Sequence, residues 1–155
     1  MPWKNFSIWR GRLPHWRADD VTYWVTFRHR RDLEEWERDL LFTALLRPEG
    51  RKWNLVILCV LPTETNFLFT VNEAPDGSPY ELSEIVEKAK AKVGRTIIKK
   101  TLERFPPFYQ ESYDRIIRDA EELEAKLMEI LESPVSRELV EDPDEYGCLW
   151  VAGRD

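Results

Sequence analysis

The chain has 155 residues, 43% apolar and 34% charged, with a formal net charge of −6. That length suits one domain able to bury its own core, and the composition excludes a disordered tail or a fibre. No apolar stretch approaches the ~18 residues of a membrane span, and the N-terminal MPWKNFSIWRGRLPHW lacks the apolar core of a secretory signal.

The two cysteines, Cys59 and Cys148, are too few for a thiolate metal site of four ligands, and reduced, buried thiols in a cytoplasmic protein are expected. The charge is uneven. Residues 1–60 hold 11 Lys/Arg against 8 Asp/Glu, residues 61–107 hold 7 of each, and residues 108–155 hold 5 against 14. Positive potential for nucleic-acid phosphates therefore has to come from the first half, where Arg10, Arg12, Arg17, Arg28, Arg30 and Arg31 stand. The acidic last third opposes it unless it faces away.

Residues 1–20, rich in Trp and Arg without periodicity, read as an arm on the domain surface. Val21 to His29 is β-branched and aromatic and predicts a strand. Asp32 then caps a helix, with Glu35 completing a capping box, and Leu33, Trp36, Leu40, Leu41, Ala44 and Leu45 form its apolar stripe up to Pro48. Trp53 to Leu61 is a continuous apolar run suited to a central strand buried on both faces. Pro62-Thr63-Glu64 breaks it, and Asn66 to Asn72 forms a second strand pairing antiparallel with the first.

Ala74 to Pro79 is a loop. A long helix runs from Ser83 to about Phe105, carrying a cationic stripe of Lys88, Lys92, Arg95, Lys99 and Lys100. Pro106-Pro107 ends it, Phe108 to Ile117 is extended, and Asp119 caps a helix that continues through Leu131 and stops before Pro134. The tail, residues 136–155, is acidic and irregular, with Tyr146 and Trp150 packing back. The element order predicts an α+β fold over residues 1–155: a ferredoxin-like antiparallel sheet with helices on one face.

Several segments, in consistent order, resemble the single-tyrosine HUH transposases, in the branch of REP-associated tyrosine transposases. They are RLPHW (Arg12 to Trp16), YWVTFR (Tyr23 to Arg28), LCVLPTETNFLF (Leu58 to Phe69), FYQESYDRIIRDAEEL (Phe108 to Leu123), EILESPV (Glu129 to Val135) and EDPDEYGCLW. The resemblance implies cleavage and rejoining of single-stranded DNA at hairpin-flanked sites. In that chemistry two histidines, one residue apart on a strand, hold a divalent metal that polarises the phosphate, and a helix tyrosine attacks it.

This chain departs from the pattern at each of those positions. Glu64 and Asn66 stand where the resemblance places the histidines, Glu129 where it places the tyrosine, and Ser133 where it places an asparagine. The two histidines present, His15 and His29, lie far from the motif in sequence and read as core or surface residues rather than ligands. The resemblance thus implies a degenerate member: a catalytically silent or domesticated domain that binds single-stranded or hairpin DNA as a monomer or homodimer. Its DNA contacts are expected from Arg10, Arg12, Trp16, Arg17, Arg28, Arg30, Lys88, Lys92, Arg95 and Lys99.

Two alternatives remain open. In one the domain is a metal-dependent nuclease or strand transferase, rescued either by Glu64, Asn66 and Glu129, all oxygen donors that could take Mg²⁺ or Mn²⁺, or by Tyr109 or Tyr113 as a displaced nucleophile. Otherwise the fold serves as a protein-interaction module through its acidic C-terminal third.

Overall fold

The computed structural model describes residues 22–71, 75–76, 82–109 and 111–153. The expected N-terminal arm, with Arg10, Arg12, His15, Trp16 and Arg17, and most of the loop at 74–79 lie outside those residues. Five strands, β1 (Thr22–Arg28), β2 (Trp53–Val60), β3 (Glu64–Val71), β4 (Tyr113–Ile116) and β5 (Leu149–Val151), form one sheet in the order β4-β1-β3-β2-β5. Every neighbouring pair is antiparallel. Among the described residues three α-helices accompany it: α1 (Glu35–Leu46), α2 (Leu82–Thr101) and α3 (Ala120–Ser136). Among the described residues no helix is long and apolar enough to cross a membrane.

The α+β class and the antiparallel sheet agree with the sequence reading; the placement of the helices on one face needs correction. One core joins Val25, Phe27, Trp53, Leu55, Phe67 and Phe69 to α1 and α2 through Leu41, Leu45, Val93 and Ile97. A second core, on the other face, joins Ile57, Cys59, Leu61 and Leu68 to Leu123, Leu127, Ile130 and Leu131 of α3. Topology explains the split. The connections β1–α1–β2 and β3–α2–β4 cross in senses that put right-handed crossovers on one face, whereas β4–α3–β5 crosses the sheet in the opposite sense. β2 is buried on both faces as expected, and a bulge between Leu55 and Ile57 turns Val56 and Ile57 together toward the second core.

Three helix ends also differ from expectation. α1 begins at Glu35 with Glu34 as N-cap, and Glu37, not Glu35, completes the capping box. Residues 32–34 stay non-helical because the Leu33 N–H donates to Pro62 O (2.9 Å) and Arg31 donates to Asp32 O (3.0 Å). α2 ends at Thr101, where Leu102 enters the left-handed region (φ 63°). α3 continues past the expected stop, with Pro134 inside it. The N–H that proline lacks is replaced by the Ser133 hydroxyl, which donates to Ile130 O at 2.6 Å. The tail is not irregular throughout: a 3₁₀ turn at Pro143–Glu145 leads into β5, and Tyr146 donates to Val60 O at 2.6 Å. Trp150 packs back onto the first core as expected.

Ser133→Ala is expected to leave that carbonyl unpaired and lower stability by about 1–2 kcal/mol in urea denaturation.

Of the two roles open to it, core or surface, His29 takes the core. It is buried, its Nδ1–H donates to Pro62 O (2.8 Å), and its Nε2 accepts from Thr65 Oγ1 (2.9 Å). Burial keeps the ring neutral and lowers its pKa from 6.5 to about 4, against the opposing pull of the Pro62 bond, Glu64 and Asp32. The unfolded chain protonates near 6.5, so this contribution is intact above pH 7 and is lost as pH falls from 6.5 through 4. Denaturation at pH 7.5 and 4.5 is expected to differ by roughly 2–3 kcal/mol from this group, and His29→Gln should flatten that segment of the profile.

Candidate functional site

An open cleft of about 1040 Å³ lies beside α3, over β1 and the start of β3. Alternation along the strands sends Trp24, Thr26 and Arg28 of β1, and Glu64 and Asn66 of β3, to this face. The register sets Arg28 opposite Glu64, and places Thr26 between Asn66 and Tyr113. From α3 come Lys126, Glu129 and Ser133, three and four residues apart and so on one side of the helix. The turn beyond Pro134 adds Ser136 and Arg137.

Glu64, Asn66 and Glu129, distant in sequence, therefore face one cavity. Both carboxylates already meet cations. Arg137 pairs with Glu64 through Nη2 and donates to Thr63 Oγ1 through Nη1 (2.8 Å). Lys126 Nζ lies 2.9 Å from Glu129 Oε2 and 3.9 Å from the Trp24 ring centroid. Arg115 covers the same indole at 5.6 Å, and Tyr113 meets it edge-on at 5.5 Å.

This donor set does not fit a divalent ion. Mg²⁺ or Mn²⁺ would have to displace a guanidinium and an ammonium or sit beside them, and like charges at such range repel. Among the described residues no three His, Cys, Asp or Glu side chains are grouped so as to hold a metal. Cys59 and Cys148 are buried thiols, each raised to about 12 by burial, and take no part.

The predicted DNA contacts divide. Arg28 and Arg30 line the cleft. Lys88, Lys92, Arg95 and Lys99 are exposed on α2, which packs against the other face of the sheet, and Lys88 is paired with Glu84 at 3.1 Å. Sequence reasoning missed Lys126 and Arg137. The i,i+3 spacing of Lys126 and Glu129 could have shown the first; stopping the helix at Pro134 hid the second. Of the acidic residues beyond 107, Glu111 and Glu129 are the two described residues that line the cleft, so the acidic excess falls largely outside it. Tyr109 and Tyr113, weighed as displaced nucleophiles, both reach its wall.

No family model and no curated protein matches the chain. Solved structures do. A REP-associated tyrosine transposase bound to a REP hairpin superposes with a TM-score of 0.63 at 15% identity, covering 87% of this chain and 81% of that one. A transposase candidate from Deinococcus radiodurans gives a TM-score of 0.50 at 14% identity, covering 78% of this chain and 97% of that one. The fold is that of these transposases.

Proposed function

We propose that this chain is a transposase-related domain that binds single-stranded or hairpin DNA in the cleft under α3, with side-chain cations rather than a metal facing the phosphates, and without strand transfer. The observation that carries the reading is the pairing of Arg137 with Glu64 and of Lys126 with Glu129, which brings a guanidinium and an ammonium to the positions where the resemblance places metal ligands and nucleophile, there held by the carboxylates. Arg28 and Arg30 extend that charge along the wall, and the hairpin-bound transposase of the same fold supplies the ligand class. Glu129 is unsuited to the tyrosine's task. Its acyl phosphate would be a mixed anhydride open to hydrolysis, so the broken strand could not be stored for rejoining.

The test is a mobility shift with hairpin DNA carrying a single-stranded extension, followed by a denaturing gel. Four phosphate contacts on a single strand predict a slope of roughly −3 in log affinity against log salt, and an intact strand after incubation with Mn²⁺. A missing shift at micromolar protein in low salt contradicts the binding; a cleaved strand or a covalent protein–DNA adduct contradicts the silence.

A further inference from the structure

On the wall of the cleft, Arg30 meets two aromatic rings. Its guanidinium carbon is 4.9 Å from the Tyr109 centroid and 5.8 Å from that of Phe105, and that of Arg104 is 5.4 Å from the Phe105 centroid. Buried clusters of this kind need no further account, but this one is open: Phe105 is 58% and Tyr109 45% exposed. Neither Arg30 nor Arg104 has a carboxylate partner among the described residues.

The segment that displays these rings is held in place by its backbone. Arg30 N–H donates to Pro107 O (2.6 Å), Tyr109 N–H donates to Arg28 O (3.2 Å), and His29 and Phe108 form a β-bridge. A Cβ on Gly94 of α2 would sit 3.1 Å from Pro106 Cβ, so helix and segment meet with no space for a side chain between them. Fixed aromatic faces with unpaired guanidinium groups, continuous with a cation-lined cleft through Arg28, Arg30 and Tyr109, suit a flat, π-rich group attached to a phosphate.

We infer that Tyr109, Arg30 and Phe105 form a stacking platform for an unpaired base of single-stranded DNA whose phosphates run into the cleft. The platform rests on the DNA-binding reading above and assigns it a base subsite. A base in a duplex has both faces covered and cannot stack there, so the platform selects unpaired nucleotides.

The test uses the whole protein and a DNA hairpin whose single-stranded extension carries 2-aminopurine at one position at a time. One position should change fluorescence on binding. Tyr109→Ala and Phe105→Ala should each abolish that change and weaken binding roughly five- to fiftyfold, while Tyr109→Phe retains both and the salt slope of Tyr109→Ala stays that of the wild type. Binding by wild-type protein that both alanine variants leave intact overturns the platform alone, as does equal affinity for a blunt duplex or preference for RNA. Absence of wild-type binding to any of these strands removes the DNA-binding reading and the platform together.

Discussion

Replacing Lys126 and Arg137 together by alanine is expected to weaken hairpin-DNA binding about 30- to 100-fold and to lower the salt slope by roughly 1.4, since each lost phosphate contact on a single strand contributes about 0.7. The opposite substitution sharpens the test. Glu64→Gln and Glu129→Gln remove the carboxylates that now occupy those cations, so each should bind DNA several-fold more tightly in a fluorescence-anisotropy titration. If the carboxylates instead worked as metal ligands, the same glutamine variants would lose activity and gain no affinity. Exposure tempers the magnitude: Arg137 is 46% and Glu64 24% exposed, and partly solvated pairs contribute little to stability. Melting temperatures should therefore barely move while affinities do.

Arg31→Ala is expected to have the largest effect on folding. Arg31 donates to both oxygens of Glu37, at 2.7 and 2.5 Å, and to both of Glu103, at 3.0 and 2.6 Å, joining the end of β1 to α1 and to the chain leaving α2. The Glu37 side chain is fully buried, and it also accepts the Glu34 N–H of the capping box. Burial pushes its carboxyl pKa up, but the bonds from Arg31 and from Glu34 outweigh this and hold it below the usual range. Without Arg31 a charge is left buried with one backbone donor. Arg31 is itself 34% exposed, which places the loss near the lower end for broken buried pairs, about 3 kcal/mol, or roughly 6–12 °C in Tm. Combining Arg31→Met with Glu37→Leu should recover much of it, because the isolated charge is then gone. A double variant as unstable as Arg31→Ala would show that the bridge matters for geometry and not for charge.

The three central strands were legible because they are written in β-branched and aromatic residues and in one long apolar run, Trp53 to Val60, with the break at Pro62-Thr63 marking the hairpin; β5 was hidden in a tail whose acidic residues read as irregular. What sequence could not show was which face each helix takes, since that depends on the direction of the crossovers and not on any residue. Local hydrogen bonds overrode two further signals. Ser133 substitutes for the donor missing at Pro134 and carries α3 another turn, and the pull of Pro62 O on Leu33 delays α1. The site was half legible: Glu64, Asn66 and Glu129 do share one cavity, and Arg28 and Arg30 line it. Arg137 was hidden because its approach to Glu64 needs that extra turn. The stripe on α2 was visible in sequence and remote in space.

Affinity for hairpin DNA, measured by anisotropy in EDTA and again in millimolar Mn²⁺, tests the metal-free cleft most directly. Equal dissociation constants in the two buffers, with the strand recovered whole from both, are the expected result; affinity that appears only when the ion is supplied would contradict it.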